Sequence, residues 1–167
     1  MNNTTKTVKI STLHTSFSSH QALANLFHEI HSFDGDTLLL NFEDAAFISA
    51  NQFSVLGCIL STFHAQHPEI RILVGNMSPK LLNIIRKNDF GRHLSYDMLP
   101  DINNTTIPYR IFDVTEIDQF EKYITISIFN RNDLPQMSSG VKNQIIDNIL
   151  EIFNNVHEHT HSQSLFT

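Results

Sequence analysis

Short apolar runs alternate with amphipathic stretches in the N-terminal part of this chain of 167 residues. The runs TLLLNF at 37–42 and IRILV at 70–74 have the length and composition of strands that are buried on both faces of a sheet. Before and between them, apolar residues recur at the spacing of one helix face, as at Leu23, Leu26, Phe27 and Ile30. The alternation predicts an α/β fold, with a mostly parallel sheet and crossover helices.

Local signals indicate where these elements begin. Residues 5–11 mix β-branched and polar residues in the manner of a short first strand. The serine pair at 18–19 predicts the N-cap of the first helix, and Asn51 opens the second. Ser78 followed by Pro79 predicts the start of a third helix, because proline is well tolerated at the first helical position.

The composition excludes several classes of partner. The formal net charge is −6, from 11 basic and 17 acidic residues, and no segment concentrates Lys and Arg, which argues against a nucleic-acid surface. No apolar run approaches the length of a membrane span, and the N-terminal MNNTTKTVKI lacks the apolar core of a secretory signal. The single cysteine, Cys58, fits a reducing compartment. We therefore expect a cytoplasmic protein that binds neither nucleic acid nor membrane.

The sequence changes character about two thirds of the way along. Residues 99–108, LPDINNTTIP, are polar with two prolines and predict a linker or a surface crossover. After it, 116–130 shows helical spacing in a β-branched composition, and 141–159 carries one apolar stripe opposite a polar face. These patterns predict an α/β unit over 1–103 and a mostly helical unit over 104–167.

The segment TLLLNFEDAAFISANQFSVLGCILSTF, with IRILVGNMSPKLLNIIRKNDFG after it, resembles the STAS domain of bacterial anti-sigma-factor antagonists. The shared pattern is a buried strand, an acidic turn, an apolar-Phe-Ile pair, a short loop and an amphipathic helix. A second buried strand and a helix capped by Ser-Pro complete it. The resemblance implies a small mixed sheet packed with helices over 1–103, and a role in switching between protein partners.

The loop after the apolar-Phe-Ile pair corresponds to the switch loop of that family. The family loop usually reads Asp-Ser-Ser-Gly, and a partner kinase phosphorylates a serine in it. Here it reads Ser49-Ala50-Asn51-Gln52, so Ser49 falls at the aspartate position and neither family serine is kept. A phosphate would act there by adding about two negative charges at a helix N-terminus. Without the family serines we expect this phosphorylation switch to be absent, with Ser49 only an out-of-register candidate, and the loop mainly to turn the chain and cap the next helix.

The last predicted helix contains ILEIFNNVHEH, in which Glu151, Asn155 and His159 recur every four residues and share one helix face. This pattern resembles the N-box helix of the GHKL ATPases, and most closely that of the anti-sigma-factor serine kinases. The resemblance implies that Glu151 is the catalytic base and that Asn155 holds Mg²⁺ through its amide oxygen. Asn148 and His159 are further candidates for binding the nucleotide.

The family's Asp-x-Gly-x-Gly adenine segment and glycine-rich phosphate lid, which follow the N-box, do not occur in this sequence. We therefore expect an N-terminal piece of a longer polypeptide, cut inside its ATPase domain. The intact protein is predicted to be a bacterial regulatory protein that binds ATP and Mg²⁺ and acts as an ATP-dependent protein kinase or ATPase with a regulatory protein partner. This fragment is expected to hold no nucleotide and to be inactive. The alternative is a protein-binding module without a nucleotide site.

His157-Glu158-His159-Thr160-His161 also satisfies H-E-x-x-H, the pattern of zinc hydrolases. On a helix, His157 and His161 would share a face and bind Zn²⁺, with Glu158 activating water. A catalytic zinc needs a third protein ligand, and only six residues follow His161. The zinc hydrolase is therefore the less favoured alternative, and adventitious metal binding by the histidines is favoured over it.

If the ATPase domain is truncated, the missing part no longer buries an apolar face of its sheet or helices. We therefore expect self-association, as a homodimer that buries Ile149, Ile152 and Phe153. A monomer in light scattering would contradict this expectation.

Overall fold

A computed structural model describes residues 4–159 and 164–166. Three parallel strands form the sheet of the first unit, in the spatial order β1 (Thr5–Lys9), β2 (Thr37–Asn41) and β3 (Arg71–Gly75). The helices of this unit are α1 (Phe17–His31), α2 (Ala50–Gln66), α3 (Pro79–Lys87) and a 3₁₀ turn at Phe90–Leu94. The predicted α/β class is confirmed. The sheet is parallel rather than mixed, since no antiparallel strand joins it in the described part of the chain.

Only one face of this sheet is covered by helices. The spatial order of the strands is their order in the sequence, so both β-α-β connections cross over in the same sense. Right-handed crossovers then place α1 and α2 on the same side of the sheet, and the two helices do contact each other. Val8 and Leu40 point to that side and are buried, whereas Leu73 points to the other side and is 48% exposed. The expectation of strands buried on both faces is therefore wrong for this sheet.

The core of the first unit lies between the covered face and the three helices. Phe53 of α2 and Phe90 of the 3₁₀ turn meet there with their ring centroids 4.9 Å apart. The largest fully buried side chains of this core are Phe42, Phe90, Leu13, Leu23, Ile30, Leu38, Leu40, Ile48, Leu56, Ile70 and Leu81. They come from every strand-helix repeat, so the packing holds the unit together as one body.

Serine caps set the starts of two helices. α1 begins earlier than predicted, because Ser16 rather than the pair at 18–19 is its N-cap and accepts a hydrogen bond from the Ser19 backbone N–H at 3.3 Å. α3 begins as predicted, with the Ser78 hydroxyl capping its first turn at 3.2 Å. In both places a hydroxyl satisfies an amide that has no partner within the helix.

Residues 99–108 form a surface crossover that is fixed from both sides. The Asp101 carboxylate accepts hydrogen bonds from the Thr106 backbone N–H at 2.7 Å and from its hydroxyl at 2.8 Å. From the second unit, the Arg131 guanidinium donates to the Thr106 carbonyl at 2.9 Å. Tyr109, beyond the predicted boundary at 103, packs in the core of the first unit.

Asp101 gives this crossover a dependence on pH. Burial by itself would raise the pKa of its carboxyl, but the hydrogen bonds from Thr106 and Thr105 outweigh burial and lower that pKa below its usual value. A carboxyl whose pKa is lower in the folded state stabilises the fold above its unfolded pKa, about 4. That contribution is lost as the pH falls through the folded pKa.

We expect Asp101→Asn to reduce the loss of stability on acidification from about pH 6 to about pH 3. Urea unfolding followed by circular dichroism measures this loss for both proteins. Asp34→Asn is the control, because Asp34 is exposed at a turn. The same acid sensitivity in the wild type and in Asp101→Asn would contradict the prediction.

The second unit contains two helices and a pair of short antiparallel strands. Its elements are β4 (Ile111–Asp113), α4 (Ile117–Tyr123), α5 (Ser139–His159) and β5 (Ser164–Phe166), with β4 paired to β5. The helix predicted over 116–130 continues past α4 as a π-helical turn, in which the Phe129 N–H donates to the Ile124 carbonyl at 3.1 Å. The turn lies in the ITISI segment, where β-branched residues lower helix propensity. Among the described residues, no helix has the length and apolar character that crossing a membrane requires.

Candidate functional site

α5 has one packed face and one exposed face. Phe153 is buried, and its ring stacks on Phe120 of α4 with the centroids 4.4 Å apart. Ile146 lies in the same core, to which Phe112 of β4 also contributes. The helix that carries the predicted nucleotide residues is therefore anchored by its apolar face, with a strand of the small sheet in the same core.

Glu151, Asn155 and Asn148 all lie on the exposed part of α5, in agreement with their helical spacing. Asn148 Oδ1 accepts a hydrogen bond from Gln144 Nε2, one turn earlier, at 3.2 Å. The side chains of Glu151 and Asn155 make no hydrogen bond or ion pair with any other residue that the structure describes. The side chain of His159 lies outside the described part of the chain.

The exposed oxygens of Glu151 and Asn155 are of the kind that magnesium binds. Carboxylate and amide oxygens are hard ligands, and Mg²⁺ is often held by one or two of them together with phosphate oxygens. Residues 4–159 and 164–166 contain no group of three or more His, Cys, Asp or Glu side chains that could hold a metal ion. The two exposed oxygens, one turn apart on α5, are of a ligand type that Mg²⁺ accepts.

The zinc pattern is only partly within the described residues. His161 lies outside them, and so does the side chain of His157. Glu158 is exposed near the end of α5. The zinc hypothesis stays a prediction.

The predicted switch loop forms the start of α2. Ser49 is the N-cap, and its backbone N–H donates to the Leu13 carbonyl at 2.8 Å, but its hydroxyl makes no capping hydrogen bond. Ala50 and Asn51 are exposed, and Asn51 Oδ1 accepts a hydrogen bond from the Thr15 hydroxyl at 3.0 Å. The loop turns the chain into α2 as expected, although the Ser49 hydroxyl takes no part in capping.

The residues predicted to form a dimer contact differ in exposure. Phe153 is buried inside its own chain, so its inclusion in a dimer interface is wrong. Ile149 is partly buried against the same core. Of the three, Ile152 alone is largely exposed, at 63%.

A groove beside β3 was not predicted from the sequence. Its volume is about 500 Å³, and it is lined by residues 70–73 of the strand region, by α2, by the 3₁₀ turn and by Tyr109. The Tyr109 ring packs edge-to-face on Phe90, with the centroids 5.0 Å apart, and burial raises the pKa of its hydroxyl. The lining comes from separate segments of the chain, so no local spacing could reveal it. The available signal was a strand, IRILV, without lysine or proline to protect its edge.

The chain was compared with models of protein families and with curated proteins, and neither comparison found a match.

Proposed function

We propose that this chain is part of a regulatory protein that joins a protein-binding α/β unit, similar to STAS domains, to an ATP-binding module of the GHKL type. In this proposal Asn155 binds the magnesium ion of ATP·Mg²⁺, and Glu151 is the base that activates the nucleophile. Asn148 and His159 contact the nucleotide.

The arrangement of α5 supports the nucleotide half of this proposal. Phe153 and Ile146 anchor the helix, so Glu151 and Asn155 are held on a rigid element rather than on a loop. Ligands that are placed rigidly bind without a large cost of ordering. The observation that carries the proposal is this pair of hard ligands, one turn apart, on the exposed face of an anchored helix.

The first unit supports the regulatory half of the proposal. Its resemblance to STAS domains implies binding to a protein partner, and its small α/β sheet agrees with that resemblance only at the level of fold class. Ala50 and Asn51 are exposed at the start of α2, where a partner can reach them. A binding module without a nucleotide site would use this unit in the same way, so the nucleotide titration separates the two functions.

Asn155→Ala tests the magnesium ligand. In a polypeptide that carries this chain together with a complete ATP-binding module, we expect calorimetry to show ATP·Mg²⁺ binding that is weaker by roughly 10–100-fold, because the amide oxygen is lost from the metal. Asn154→Ala is the matched control, since Asn154 is also exposed on α5 but lies about 100° further round the helix.

Equal affinity of the wild type and Asn155→Ala for ATP·Mg²⁺ would contradict the role of Asn155. An intact protein that binds no ATP·Mg²⁺ would contradict the nucleotide proposal as a whole. The protein-binding module would then be the function of the chain.

A further inference from the structure

The two edges of the β1–β2–β3 sheet differ in how they are protected against pairing with another chain. β1 reads TKTVK and carries two lysines, whereas β3 reads RILVG, with one arginine at its start and then only apolar residues and glycine. Lysines and prolines on an edge strand are common means of preventing edge-to-edge association. β3 is therefore the unprotected edge of this sheet.

Hydrogen bonds show which backbone groups of β3 face outward. The Arg71 N–H and the Gly75 carbonyl bond to residues that flank β2, at 3.1 and 3.0 Å. Every second residue of β3, starting at Arg71, therefore bonds to β2. The N–H and C=O groups of Ile72 and Val74 point away from the sheet, and no residue that the structure describes bonds to them.

The groove of about 500 Å³ lies against this edge. Residues 70–73 form one side of it, and Leu60, Phe90 and Leu94 contribute an apolar wall. An extended backbone beside β3 would place every second side chain towards one face of the sheet. Because the wall stands next to the strand, a single extended segment fits this edge better than the whole sheet of a second copy.

The polar groups of the groove indicate the charge of its occupant. His64, Arg71 and His93 line it, and none of its described lining residues is acidic. The buried Tyr109 hydroxyl has no hydrogen-bond partner within the described structure, and it lies so close to Gly57 that a Cβ there would collide with it. The groove thus offers a positive charge at the strand and no acidic side chain among its described lining residues, which favours an acidic segment.

We propose that β3 and its groove bind an extended acidic segment of a partner protein, which joins the sheet as a further strand beside β3. Its backbone pairs with Ile72 and Val74, its apolar side chains enter the groove, and its carboxylates face Arg71. This inference rests on the protein-binding half of the proposed function and is independent of the nucleotide half.

The test uses this full chain and a fluorescein-labelled acetylated peptide, TVEVEVT, which alternates valine with acidic residues. We expect a rise in anisotropy on binding. Ile72→Pro removes an outward N–H but no hydrogen bond to β2, and it should weaken binding by roughly tenfold or more. Thr7→Pro is the matched control. On β1, the Thr4 carbonyl accepts from the Thr37 N–H and the Ile10 N–H donates to the Asn41 carbonyl, so every second residue from Thr4 to Ile10 bonds to β2. The backbone N–H of Thr7 therefore points away from the sheet, as that of Ile72 does.

A second pair of variants leaves the sheet untouched. Ser61→Phe fills the groove from α2 and should abolish binding, whereas Ala65→Phe, at an exposed position of α2 outside the groove, should not change it. Circular dichroism confirms that each variant folds. The ATP·Mg²⁺ titration of the intact protein is a separate assay, so failure here does not affect the nucleotide proposal.

Any of four results would overturn the inference. The first is the absence of peptide binding to the wild type at about 1 mM. The second is binding of the basic peptide TVKVKVT with the same affinity as the acidic peptide. In another, the acidic peptide binds Ile72→Pro and Ser61→Phe as tightly as the wild type. The fourth is a dimer of the wild-type chain that Ile72→Pro converts to a monomer, which would make a second copy the occupant of the edge.

Discussion

Phe153→Ala is expected to lower the free energy of unfolding of the second unit by about 3–5 kcal/mol. The Phe153 side chain is 1% exposed and stacks on Phe120, and its core also contains Phe112 and Ile146. These residues come from three elements that cannot all move to fill the space that the ring leaves. The cost therefore includes both lost burial and a cavity. Because α5 holds Glu151 and Asn155, the same variant should also weaken the proposed nucleotide site.

Urea unfolding followed by circular dichroism at the helical band measures this effect, since the chain has no tryptophan to report on it. Ile152→Ala is the matched control, because the neighbouring Ile152 is 63% exposed and should change stability by no more than about 0.5 kcal/mol. If Ile152→Ala proved the more destabilising change, Ile152 would have to be covered, as in the predicted homodimer.

Leu40→Ala is expected to lower the free energy of unfolding of the first unit by about 2–5 kcal/mol. Leu40 has no exposed surface and lies on the central strand, facing the side on which α1 and α2 pack. Neighbouring strands on both sides hold its backbone in place, so the core cannot collapse around the smaller side chain. The effect should be near the upper part of that range for this reason.

Leu73→Ala is the control on the opposite face of the same sheet. Leu73 is 48% exposed, and its truncation should change stability by no more than about 0.5 kcal/mol. Thermal and urea unfolding of the three proteins under one set of conditions would measure the difference. A cost at Leu73 equal to that at Leu40 would show that the second face of the sheet is covered in solution.

Helix periodicity predicts the polar face of α5 correctly because it depends only on neighbouring turns of one helix. Glu151 and Asn155 share that face wherever the helix packs. The apolar face is harder to interpret: Ile152 and Phe153 are adjacent and similar in hydropathy, yet one is exposed and the other is buried. Which of them meets Phe120 depends on how α4 and α5 cross, and the spacing within α5 carries no information about that crossing.

The first helix shows the limit of capping signals. Serines at 16, 18 and 19 are all acceptable N-caps by residue type, and the structure uses Ser16. The Ser19 hydroxyl instead accepts a hydrogen bond from the His14 backbone N–H at 2.9 Å. The segment before the helix therefore decides among the serines, through a contact that residue preference does not include.

Local pattern by itself determines the three parallel strands, the helices α1, α2, α3 and α5 within a few residues of their ends, and the exposed position of Glu151 and Asn155, because each depends on residues within a few turns of one another. Strand order, the bare face that exposes Leu73, the burial of Phe153 and the groove beside β3 are decided only by the tertiary structure. These features depend on which distant segments meet. The hydrophobic effect has no preferred direction, so the hydropathy of a side chain indicates that it is buried. It does not indicate which other segment of the chain buries it.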